Sequence, residues 1–258
     1  MLDKRKCLGI LLFYSVMGCL LRAYQLRNEL LFDGSLAQGA FVHRVLFLLT
    51  ICFAVGWILI LRPLAKLQTC KECFFANPVL NGVQMLGAVG MLVGNLLLWF
   101  NGRESASQYT DMAVSMEKWL PILGVLSACC IFAFAFLCMK GKKPSPLLYM
   151  AASVYLVVRL IVAFQEWNTD PSVHDYAYQL LATICCMLGS FQVAGFGFDK
   201  GKRRMTMFWT LCAVFFCAVS VPDKLENSSE FIINLSLLAI MAVNSVQLLW
   251  AKETEKTE

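Results

Sequence analysis

The stretch KGKKPSPLLYMAASVYLVVRLIVAF, residues 140–164, leaves a basic loop and enters an apolar run whose one charge is Arg159. A run this uniform is unlike the striped face of a soluble helix. Its length approaches the roughly 20 residues that cross the hydrocarbon core of a bilayer. It reads as a membrane-spanning helix, and the pattern recurs along the chain. Apolar runs lie at 7–24, 45–61, 79–100, 119–139, 147–166, 176–198, 205–221 and 231–250. Of 258 residues 59% are hydrophobic and 15% charged, against about 25% charged in an ordinary soluble domain. The longest stretch between runs, residues 25–44, is too short for a soluble domain. The expected fold is therefore all-α: residues 1–258 as a single transmembrane domain, a bundle of about eight spanning helices.

The first run is short, follows Lys4-Arg5-Lys6, and contains Val16-Met17-Gly18-Cys19, which hints at a lipoprotein cleavage box. Met17 is an awkward residue there and no small-residue cleavage site follows, so a retained helix is expected. Arg22 would then snorkel at its outer end. In the fourth run Pro121 is expected in the first turn, where proline is tolerated.

Loop charge orients the bundle. If each run crosses and the N-terminus is cytoplasmic, fifteen of the 22 basic residues fall on inner segments and six on outer ones, leaving Arg159. Excess Lys and Arg on short loops marks the cytoplasmic side, which places both termini there. Trp99, Trp119, Trp167, Trp209 and Trp250 fall near run ends, where their rings favour the interface; Trp57 lies deeper. None of the 12 cysteines falls in an outer loop, so no extracellular disulfide framework is expected. The tight inner links, with Lys142 and Lys143 and then Lys202, Arg203 and Arg204, make consecutive helices antiparallel neighbours. Their charge either serves topology alone or also holds anionic lipid headgroups.

Arg159 is the one charge well inside a run, somewhat outward of its middle. A central arginine costs at least about 2.5 kcal/mol to insert. Side chains on a helix lean towards its N-terminus, which here is the more distant, cytoplasmic side, so snorkelling works poorly. Arg159 should face the bundle and find acceptors there. Tyr155 lies one turn before it, and Glu166 about 10 Å along the axis, too far for a direct pair. Gln179, Thr183, Cys186 and Ser190 share one face of the sixth run, and Thr183 comes near the depth of Arg159. Asn95 and Asn234 lie in the outer half of their runs. The candidate polar cluster is Asn95, Tyr155, Arg159, Gln179, Thr183 and Asn234. It is either a site for an anionic group or an architectural network around a structural arginine.

Other constellations say less. Gly87, Gly90 and Gly94 allow close helix packing, with Gly90 and Gly94 forming a G-x-x-x-G, whose partner helix belongs to this chain or to a second copy. Cys70 and Cys73 have the spacing of half a zinc site, but no second pair or histidine is near, and two free thiols are expected. Cys129-Cys130 and Cys185-Cys186 read as packing. Asp170, His174 and Asp175 crowd an outer loop with Glu166 and read as a solvated acidic surface. Asn227-Ser228-Ser229 is a glycosylation sequon, meaningful in a eukaryotic source. No carboxylate lies well within a run, Glu166 standing at the very end of one, and the chain lacks H-E-x-x-H, G-x-S-x-G and P-loop motifs. No catalytic residue, metal, cofactor or nucleic-acid site is expected.

Residues 159–204 carry Arg159, Phe164, Trp167, Asp175-Tyr176, Ala194-Gly195-Phe196 and Gly201-Lys202-Arg203-Arg204. On these residues, less than a fifth of the chain, it resembles uncharacterised polytopic membrane proteins of bacteria. That resemblance implies a bacterial inner (plasma) membrane and no particular activity. The expected role is binding or permeation of a small, anionic solute centred on Arg159. The alternative is a non-catalytic sensor or scaffold that acts through a membrane partner subunit.

Overall fold

A computed structural model describes residues 4–29, 41–62, 70–75, 77–101, 111–167, 173–225 and 227–251, apart from the side chains of 71, 72, 101, 111–117, 166, 167 and 173–175. These residues form α1 (Lys4–Asn28), α2 (Phe41–Ile60), α3 (Cys70–Phe74), α4 (Pro78–Asn101), α5 (Asp111–Met139), α6 (Leu147–Trp167), α7 (Val173–Gly197), α8 (Arg203–Val219), a 3-10 turn (Pro222–Lys224) and α9 (Ser228–Trp250). No strand occurs among the described residues. Seven helices, α1, α2, α4, α5, α6, α7 and α9, are long and apolar enough to cross a membrane. The chain is thus a helical, multi-pass membrane protein.

The expected helix at 205–221 appears as α8, with 17 residues. It spans about 25 Å at 1.5 Å per residue. Twelve of its residues are buried, because α1, α7 and α9 enclose it. A helix wrapped by protein need not be apolar all round. Thr206 and Thr210 turn their hydroxyls onto the carbonyls of Lys202 and Met207. α1 packs on α8 where Gly18 faces Phe215 and Val219. α2 is the least enclosed, resting on α1 and touching α8 through Phe53, which stacks on Phe215 at 4.4 Å. Its Phe47, Leu48, Ile51, Val55, Ile58 and Leu59 stay exposed. A water-facing surface rarely carries so continuous an apolar patch; lipid tails cover it without loss.

α4 and α9 run antiparallel at close range. A Cβ on Gly87, Gly90 or Gly94 would come within 2.9, 2.5 and 2.7 Å of Ile240, Ser236 and Ile233 respectively. The partner of the glycine stripe is therefore α9 of the same chain. The buried stripe of α4 continues as Asn81, Gln84, Ala88, Met91 and Asn95. Steps of three and four keep these five residues on one face. Gln247 donates to Asn81 at 2.6 Å, and Gln84 donates to Asn244 at 3.1 Å. Tyr149 of α6 joins the same cluster through Asn244 and Gln84. Side-chain hydrogen bonds of this kind hold helices together where burial against lipid supplies no drive.

Several local readings are corrected. Pro121 lies inside α5, which begins at Asp111, and not in a first turn. α1 has 25 residues and carries Arg22 well within it. Arg22 is not a snorkelling residue: it is fully buried and ion-paired to Asp223 at 2.8 Å. Among the basic residues of the links between α5 and α6 and between α7 and α8, Lys142, Lys143 and Lys202 are exposed but Arg203 is buried. It donates to the carbonyls of Leu248 and Ala251 at 2.9 and 3.3 Å, and so closes the C-terminus of α9 instead of facing lipid.

The helices α5 and α7 end alike, at the start of these two links. Lys142 donates its backbone N–H to Leu137 with Gly141 at φ +69°, and Lys200 donates to Gly195 with Asp199 at φ 55°. Glycine takes the left-handed conformation without penalty, whereas Asp199 accepts it as a short polar residue. Lys143 and Asp199 are ion-paired across the two links. α3 was not foreseen. It carries Cys70 and Cys73, both buried, and seats Phe74 against Phe134 and Phe196.

Candidate functional site

At the end of the bundle where α1 finishes and α9 begins, a cleft of about 180 Å³ opens between helices. α6 contributes Arg159, Val162 and Ala163, and α5 contributes Leu120. α7 contributes Tyr176, Gln179 and Thr183. The segment from the 3-10 turn into α9 contributes Asp223, Lys224, Asn227 and Glu230. Its lining combines apolar and charged side chains.

Arg159 is buried, with 7% of its surface exposed. One guanidinium nitrogen, Nη1, donates to the Tyr155 hydroxyl at 2.9 Å. The other, Nη2, is ion-paired with Glu230. The Tyr155 hydroxyl in turn donates to Asn95 Oδ1 at 3.2 Å, and Asn95 donates from Nδ2 to the Met91 carbonyl. Three of the expected residues, Asn95, Tyr155 and Arg159, thus form one chain of bonds. Gln179 and Thr183 line the cleft without a bond to Arg159, and the Thr183 hydroxyl donates to the Gln179 carbonyl. Asn234 stands apart. It donates to the Cys217 carbonyl and accepts from Ser220, so it ties α9 to the end of α8 and does not line the cleft.

Glu230 is the residue the apolar runs hid, because it sits just before residue 231. The local signal is there in Asn227-Ser228-Ser229-Glu230. Asn227 caps α9, its side-chain oxygen accepting the Glu230 N–H at 3.3 Å and the Ser229 hydroxyl at 2.7 Å. A carboxylate three residues after such a cap sits where the helix N-terminus favours negative charge. Glu230 also accepts a bond from Lys224 Nζ at 2.9 Å. Burial pushes the Lys224 ammonium below the usual lysine value, while Glu230 pulls the other way. Two cations therefore share one carboxylate at the cleft.

A second ion pair adjoins it. Arg22 binds Asp223 and also Gln25 at 3.1 Å, and its guanidinium lies over the Tyr178 ring at 5.3 Å. Gln25 meets His43 Nδ1 at 3.2 Å. Glu29 accepts the backbone N–H groups of Val42 and His43, which closes the N-terminus of α2. Arg159 is thus not the lone charge within the bundle. The acidic loop residue Asp170 and the side chains of Glu166, His174 and Asp175 lie outside the described residues.

The polar cluster at the other depth, Asn81, Gln84, Tyr149, Asn244 and Gln247, carries no charge. On α4, Ala88 and Met91 separate it from Asn95. No protein-family model, curated protein or solved structure matches this chain. The fold and the cleft define a multi-pass membrane protein with a charged recess at one end of its bundle.

Proposed function

We propose that the protein is a small-solute binding or permeation component of the plasma membrane, as in a bacterial inner membrane, with an anionic solute held in the cleft at Arg159. In this reading all eight long helices span, α8 included. The basic links between α5 and α6 and between α7 and α8 face the cytoplasm, and the cleft opens outward. The observation that carries the reading is the Arg159–Glu230 pair at the wall of an open recess. Intramembrane ionisable residues that face a cavity generally mark solute or ion paths. A purely structural arginine would not need that recess.

The test is accessibility. Thr183→Cys, probed in intact cells with a membrane-impermeant maleimide against the background of the unsubstituted protein, should gain labelling from the outer side. Protection equal to that of a lipid-facing control position would overturn the reading.

A non-catalytic sensor or scaffold is the second reading. The exposed apolar face of α2, which rests mainly on α1, supports it as a place for a partner helix. Co-purification of a second membrane subunit that α2 substitutions abolish, with Thr183→Cys unlabelled, would favour it.

A further inference from the structure

We propose that the solute is a small monocarboxylate, bound beside Glu230 so that one added carboxylate balances the charge of Arg159 and Lys224. The proposal rests on the reading of the cleft as a solute site and names the chemical class that fits it.

Charge comes first. Among the described side chains, Arg159 and Lys224 both bond to Glu230, while Asp223 of the same cleft is paired with Arg22, so these five groups keep one positive charge in excess. The side chains of Arg159 and Lys224 are only 8% and 10% exposed, so water shields that excess poorly. A monoanion restores neutrality, and a dianion overshoots it. Donors come second. A guanidinium has five N–H donors and an ammonium three. Arg159 uses one on Tyr155 and one on Glu230, and Lys224 uses one on Glu230. Both cations therefore retain donors, and a guanidinium beside an ammonium suits the two oxygens of a carboxylate. Shape comes third. Leu120, Val162 and Ala163 add apolar lining to the same cleft. A bare inorganic anion leaves that lining against water, whereas a short alkyl chain covers it. About 180 Å³ gives room for an acid of a few carbons. Cations and neutral polar solutes fit less well, because neither relieves the excess charge.

Thermal unfolding of the full chain in detergent tests this, with sodium butyrate as the probe at constant ionic strength. Sodium chloride and the neutral isostere butyramide are the controls. Butyrate should raise the midpoint, and neither control should do so equally. In Glu230→Gln the competing carboxylate is gone, so half-saturation should fall at least tenfold. Arg159→Met should lose the effect. Lys224→Met, which lies outside the spanning segments, should weaken it at least tenfold should Arg159→Met not fold. Equal stabilisation by butyramide, a persistent butyrate effect in Lys224→Met, or weaker butyrate binding in Glu230→Gln would each overturn the proposal. The last outcome would mean that Glu230 holds the solute through a cationic group. If butyrate has no effect while Thr183→Cys is labelled, the ligand class falls and the solute site stands. If Thr183→Cys is protected as well, both fall.

Discussion

The guanidinium of Arg159 on α6 and the carboxylate of Glu230 on α9 are ion-paired across 71 positions of sequence. The bond holds the C-terminal part of α6 against the first turn of α9. Tyr155 and Lys224 each take one side of the pair. Removing one partner of a pair this enclosed leaves the other charge poorly solvated, which typically costs more than the pair itself contributes. Glu230→Gln should therefore destabilise the protein, by about 2–3 kcal/mol given partial access to the cleft. Adding Arg159→Met should recover part of that loss, since the stranded cation is then gone. Unfolding of the two single variants and the double variant checks it: strict additivity would show that the residues do not interact.

Arg22 and Asp223 tie α1 to the turn that follows α8, and their side chains are 0% and 3% exposed. Arg22→Met should strand Asp223 in that setting and cost about 3 kcal/mol or more. The loss should exceed that from Lys143→Met, whose pair with Asp199 joins residues 43% and 53% exposed. Unfolding midpoints of the two variants in one detergent make the comparison, and equal shifts would count against it.

Spans were legible because lipid imposes one simple demand, a long apolar run, and α2 and α6 meet it in plain view. The expected start of α6 at residue 147 coincides with the structure. Partnerships were not legible to the same degree. Tyr155 could be placed beside Arg159 because four residues make one helical turn, and Asn95 because its depth was right. Glu230 and Arg22 were misplaced for a shared reason: each sits at the edge of an apolar run, where a charge looks like loop. Glu230 closes a helix start and Arg22 continues a helix past its apolar part, and both depend on neighbours distant in sequence. Asn234 had the right depth, but its amide found the carbonyl of Cys217 first.

Gly124 of α5 faces the amide of Asn95, and a Cβ there would overlap the side-chain oxygen and carbon of that residue. Gly124→Ala should force Asn95 from its rotamer and break its bond to the Tyr155 hydroxyl. Overpacking of this kind costs about 1–3 kcal/mol. The butyrate response should weaken too, because Tyr155 then holds Arg159 less firmly. Gly9→Ala, with nothing within 4 Å of the added carbon, is the control and should leave the butyrate response unchanged with no loss of stability. A normal butyrate response in a clearly destabilised Gly124→Ala would show that Asn95 does not position Arg159.

Lys224 gives the protein a pH dependence whose sign follows from its surroundings. Burial lowers its folded-state value and Glu230 only partly offsets that. Between this lowered value and the ordinary lysine value of about 10.4, the unfolded chain binds more protons than the folded one. Stability contributed at this residue therefore rises with pH through that window and is flat below it. Glu230→Gln removes the opposing attraction, so the window should extend to lower pH. Lys224→Met should abolish the rise. Midpoints measured from pH 7 to 10 in the parent protein and the two variants give the answer. A rise unchanged in Lys224→Met would assign the proton to another group. A window that narrows in Glu230→Gln would mean that the carboxylate does not act on Lys224.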